Sequence, residues 1–76
     1  MFEESRVSIR QLATLTERQR QVAALTCQGL SNKQIAKQLS VVEGTVKIHL
    51  NAIYLKLKVR SRTQLIVRFG TRQVVA

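Results

Sequence analysis

Between Leu15 and Phe69 the apolar residues recur at helical spacing, and short polar clusters cut the pattern into four segments. Thr16-Glu17-Arg18-Gln19 opens the first as an S/T-x-x-E/Q capping box, with Leu15 placed to staple the entry. Val22, Leu25 and Thr26 then share a face, and Gly29 supplies a left-handed stop, which predicts a helix over about 16–28. Ser31-Asn32-Lys33-Gln34 is a second box, and Ile35, Ala36 and Leu39 give a short helix over 32–39 its inner side. Ala36 falls where this helix meets the next, so a small residue is required there. After a turn at Ser40 to Val42, Glu43 favours the positive end of a third helix, predicted over 43–58, whose buried stripe is Val46, Leu50, Ile53 and Leu57. Ser61-Arg62-Thr63-Gln64 is a third box; it opens a helix over 62–69 on which Leu65, Ile66 and Phe69 lie together, with Gly70 as its end. The fold class expected is all-α, a compact four-helix domain over 15–70. Residues 1–14 lack a clear period and are expected to be an arm or interdomain linker, and 71–76 a loose tail.

The third helix carries its least explained residues opposite its buried stripe: Gly44, Ile48, Asn51, Ala52 and Leu55. A merely solvated surface would be filled with Lys, Glu and Gln. A bare β-branched side chain and a carboxamide suit a groove floor instead, since Asn pairs with adenine N6 and N7 and an apolar group meets a thymine methyl. Two helices joined by a tight turn, the second with such a face, are expected to form a helix-turn-helix that reads DNA.

Composition narrows the alternatives. The 76 residues suffice for one small core, 45% are hydrophobic but only 4% aromatic, and there is no Trp or Pro, which predicts an aliphatic helical interior. A net charge of +9 and a pI near 11.3 favour a polyanionic partner. From Lys33 onward the bases Lys33, Lys37, Lys47, Lys56, Lys58, Arg60, Arg62, Arg68 and Arg72 face Glu43 alone, so the C-terminal half is the expected contact surface. No membrane partner is expected: the sequence has no apolar run of roughly 18 residues and no basic amphipathic helix with bulky anchors. The N-terminus lacks the pattern of a secretory signal, and the single cysteine, Cys27, permits neither an internal disulfide nor a metal cluster. Both suit a cytoplasmic location. Catalysis would need convergent acids and bases or a metal cage, and one His, one Cys and a Glu pair confined to the N-terminal arm do not supply them, so neither an enzyme nor a cofactor is expected.

In order and at the right spacing, LTERQRQVAALTCQGLSNKQIAKQLSVVEGTVKIHLNAIYLKLKVRSRTQLI resembles the LTxREREVL, G-x-SNKEIA, TVKxHxxNIxxKL and SRTQ blocks of the LuxR/FixJ/GerE-type (NarL-like) DNA-binding domains of bacterial transcription regulators. The resemblance runs from about Leu15 to Ile66. It implies a third helix in the major groove, a last helix that carries the dimer contact, and a place at the end of a longer two-component response regulator or small-molecule sensor. With neither such partner domain in this sequence, an isolated output domain is expected. Position by position, it puts Lys47, Ile48 and Asn51 on bases or nearby backbone, and Thr45 and Lys33 on phosphate. His49, on the flank of the buried stripe, is expected in a structural or phosphate-side role. The dimer contact is expected from Arg62, Leu65, Ile66, Val67 and Phe69.

Three residues depart from the family pattern. Gln19 replaces a Glu, which keeps the cap but removes a charge that would pair with a basic neighbour; Val42 replaces a Ser or Thr cap; and Lys58 replaces a Gly, which questions a sharp end to the third helix. Tyr54 is expected half-buried, and Cys27 to pack rather than react, for want of a basic residue on its own helix face. Against DNA binding stand two other readings, a non-specific nucleic-acid binder and a helical interaction module in which exposed Ile48 and Leu55 meet a protein such as RNA polymerase.

Overall fold

The computed structural model describes residues 11–70; residues 1–10 of the arm expected at 1–14, and the tail expected at 71–76, lie outside them. Four helices follow in order: α1 (Glu17–Cys27), α2 (Asn32–Leu39), α3 (Glu43–Leu57) and α4 (Arg62–Phe69). Among the described residues there is no strand. The expected bounds hold to within one residue at each end.

The chain begins its helices much as the sequence predicts. Thr16 Oγ1 accepts from the Gln19 amide at 3.1 Å while Gln19 Oε1 accepts from the Thr16 amide at 3.0 Å, and Ser31 and Gln34 repeat the exchange at 3.1 and 2.8 Å. The third box closes on one side only. Ser61 Oγ accepts from the Gln64 amide, but the Gln64 carboxamide reaches one residue further back, to the amide of Arg60 at 2.8 Å. Val42 stands at the cap position of α3 in extended backbone and offers it no side-chain bond.

At the C-terminal ends the chain does more than the sequence announces. Gly29, Ser40 and Lys58 all adopt the left-handed conformation, with φ of 97°, 59° and 56°. In each case the following amide bonds back to the carbonyl five residues earlier: Leu30 to Leu25, Val41 to Ala36 and Val59 to Tyr54, at 3.2, 2.9 and 3.0 Å. These are three Schellman stops, and the apolar residue after each turns inward onto the core. Lys58 thus ends α3 sharply despite its side chain, at the conformational cost of about 1–2 kcal/mol that a non-glycine residue bears there. Gly70, by contrast, ends α4 in right-handed geometry.

The core is the meeting of these inner faces. α1 packs on α2, α3 and α4, and α2 on α3. Val22, Ala23, Ile35, Ala36, Val46, Leu50, Ile53, Leu57, Val59, Leu65 and Phe69 form one buried cluster, which Leu15 joins from the α1 entry. Buried Thr26 settles its hydroxyl on the Val22 carbonyl at 2.8 Å. The cluster also takes in Leu12, from a helical turn at residues 11–13, and Gln11 Nε2 donates to the Leu57 carbonyl at 3.2 Å. The packed unit therefore reaches back beyond Leu15, into the stretch expected to be arm.

Candidate nucleic-acid interface

Because Val46, Leu50, Ile53 and Leu57 anchor α3 in the core, the helix has only one way to face, and Gly44, Ile48, Asn51 and Leu55 are turned outward. Ile48 is 69% and Leu55 81% exposed. Lys47 and Asn51, one turn apart, are also exposed, so the helix presents a cation, a carboxamide and a β-branched side chain within about 6 Å along its axis. Thr45 and His49 are half-buried on the flanks, and Lys33 is exposed in the first turn of α2. The six residues expected to touch bases or phosphate thus fall on α3 and the start of α2, which pack against each other.

The five residues expected at a dimer contact do not form one surface. Leu65 and Phe69 are fully buried against the other helices and offer nothing to a partner copy. An eight-residue helix has one apolar stripe to give, and the core takes it. Arg62 is half-buried and engaged within the chain: its Nη1 donates to Asn32 Oδ1 at 2.7 Å and its Nη2 to the Leu30 carbonyl. Val67, 72% exposed, and half-buried Ile66 remain outward.

Arg62 also sets the electrostatics behind α3. Burial pushes the Cys27 thiol and the Tyr54 hydroxyl above their ordinary values, and the nearby guanidinium pulls both the other way, less strongly. Cys27 thus does have a basic neighbour, from α4 rather than from its own helix, and burial, the larger effect, still holds the thiol above its ordinary value. The basic partner implied by the Gln19 departure is Lys56, whose Nζ donates to Gln19 Oε1 at 2.9 Å and to the Thr14 carbonyl at 3.0 Å. Sequence spacing carries no signal for this contact, which joins positions 37 apart. Among the described residues, no group of three or more His, Cys, Asp or Glu could hold a metal ion, and no helix is long and apolar enough to cross a membrane.

Comparison with known proteins agrees with this geometry. The profile of the family described as bacterial regulatory proteins, luxR family, matches residues 13–69. The transcriptional regulatory protein LnrK of Bacillus subtilis (strain 168) is 49% identical over 63 residues, 79% of this chain and 29% of that protein. The nitrate/nitrite response regulator protein NarL of Escherichia coli (strain K12) is 42% identical over 55 residues, 72% of this chain and 26% of that protein. Among solved structures, the response regulator StyR superposes with a TM-score of 0.73 at 46% identity, covering 78% of this chain and 30% of that one. The chain therefore spans less than a third of the length of each of these relatives. With the profile matched across nearly all of the described helices, the chain belongs to the LuxR family of bacterial regulatory proteins.

Proposed function

We propose that this chain binds double-stranded DNA in a sequence-specific manner to regulate transcription, as the output domain of a two-component response regulator, with α3 in the major groove. One observation carries the reading: the outward face of α3 offers Lys47, Ile48 and Asn51 to solvent while the opposite stripe is sealed. Lys47, Ile48 and Asn51 read base edges or the nearby backbone, and Lys33, Thr45 and His49 serve the phosphates on either side. Gly44 supports the same orientation. It stands on the outward face in open space, where a Cβ would meet nothing within 4 Å beyond its chain neighbours and its own helix backbone. Nothing inside the fold asks for glycine there, whereas a duplex lying close to the backbone would.

Binding takes place as a homodimer on two half-sites, in the cytoplasm. The α4 surface that bears Val67 and Ile66 is the contact between copies, in place of one made by Leu65 and Phe69. Pairing that occurs only on DNA fits this small patch, and sedimentation that stays monomeric with and without DNA would remove the dimer.

Selection of bound duplexes from a randomised pool at near-physiological salt tests the reading. An enriched motif, repeated about one helical turn apart, is the expected result. Retention without enrichment would reduce the protein to a charge-driven binder. No retention would favour a protein-interaction module, with RNA polymerase as one partner, for which the exposure of Leu55 and Ile48 is the supporting observation.

A further inference from the structure

Between the start of α2, the middle of α3 and the start of α4 lies a cleft of about 280 Å3, lined by Asn32, Lys47, Leu50, Asn51, Tyr54 and Arg62. Its chemistry is one-sided. Among the described residues, Arg62 bonds only to neutral acceptors, the Leu30 carbonyl and the Asn32 carboxamide oxygen, and no carboxylate there offsets its positive charge. Lys47 adds a second positive charge, and neither Glu17 nor Glu43, the acids among the described residues, lines the cleft. The bond from Arg62 also fixes which way the Asn32 amide points: Oδ1 accepts, which leaves Nδ2 as a donor with no acceptor among the described residues. Half-buried Tyr54, a phenol that burial pushes further above its ordinary value, supplies an O–H donor with no partner among the described residues either. The positive end of α2, with Asn32 at its first position, adds to the same field.

Two cations, an amide and a phenol around a cleft without a carboxylate make a seat for an anion. Its position names the anion, because Lys47 and Asn51 belong both to the cleft and to the outward face of α3. We propose that this cleft receives a backbone phosphodiester of the bound duplex, held by Asn32 Nδ2 and the Tyr54 hydroxyl and drawn by the charges of Lys47 and Arg62. The proposal rests on the DNA-binding reading above and adds Asn32, Tyr54 and Arg62 to it. Arg62 then has two tasks, tying α4 to the α1–α2 connection and charging the seat.

The discriminating variant is Asn32→Asp. An aspartate retains the acceptor for Arg62 and suits the first turn of a helix, so the melting temperature holds or rises, while the seat loses a donor and gains a negative charge. Titration of a duplex of random sequence across a salt series then shows affinity reduced about tenfold and a salt slope shallower by about one. Gln21→Glu, the same charge change at an exposed site on α1, leaves the slope as it was. Tyr54→Phe removes only the hydroxyl, gives a few-fold loss, and decides the matter if Asn32→Asp melts early. Wild-type affinity and slope in a folded Asn32→Asp, or an equal loss in Gln21→Glu, would overturn the seat and leave DNA binding standing. Failure of the wild-type protein to bind any duplex would remove both. Binding of random duplex without an enriched motif in the pool selection would remove sequence readout alone, since a phosphate seat acts on every sequence.

Discussion

Along α3, Val46, Leu50, Ile53 and Leu57 are at most 3% exposed, while one half-turn away Ile48 and Leu55 stand 69% and 81% open. Ile48 and Leu55 are as apolar as the inner four, yet their surroundings are opposite. For the inner four, folding is a sufficient account, because any aliphatic side chain of the right volume would fill the same space. For the outer residues it is not. A free fold would prefer Lys or Glu where Ile48, Asn51 and Leu55 stand, and a better helix former than glycine at position 44. α4 divides in the same way on a smaller scale, with Leu65 and Phe69 buried and Val67 outside. In both helices the outer residues are those that a partner, rather than the core, must account for.

If this division is real, substitutions on the two faces must fail in different assays. Ile53→Ala, on the inner face, is expected to cost about 2–5 kcal/mol of stability in denaturant unfolding, and to lower DNA binding only as far as the fold is lost. Asn51→Ala, on the outer face, should reverse the pattern: stability within about 0.5 kcal/mol of the parent, but about 1–3 kcal/mol lost on the selected duplex and little on random sequence. Equal loss on both DNAs would end the readout role of Asn51. At the open end of the same helix, Val42→Ser places a hydroxyl where the backbone is already extended for capping and is expected to stabilise by about 1 kcal/mol in thermal unfolding. The smallest effect belongs to the start of α1. Gln19→Glu keeps the capping box and gives Lys56 a charged partner, for about 0.5–1 kcal/mol that high salt should erode.

Much of this was legible in the residues because helix starts are local. A hydroxyl and a carboxamide three positions apart are enough to predict a box, and the stripe of α3 follows from its period alone. Helix ends were harder. Glycine announces a left-handed stop at position 29, but Ser40 and Lys58 take the same conformation without that signature, as half-buried Val41 and buried Val59 turn onto the core after them. Contacts between distant positions carried little signal: the family pattern implies a basic neighbour for Gln19 without naming Lys56, and nothing points to Arg62 with Leu30 and Asn32 or to Gln11 with Leu57. That is why Arg62 reads from sequence as an exposed base on an outer helix, and why the cleft it charges goes unseen. The turn at residues 11–13 was missed because a single buried leucine does not make a period.

The three Schellman stops bear on how the domain can move. Each connection, at 28–31, 40–42 and 58–61, has its first residue past the left-handed turn pressed on the core, so none is a slack segment between rigid parts. Opening one of these loops pulls Leu30 or Val41 off the core, or Val59 out of it, and takes the adjoining helix end with it. Backbone amides there should exchange with solvent deuterium at rates set by the opening of the whole unit instead of by local fraying. A domain so fastened moves as a single solid body, and a partner that covered the outward face of α3 would meet it whole.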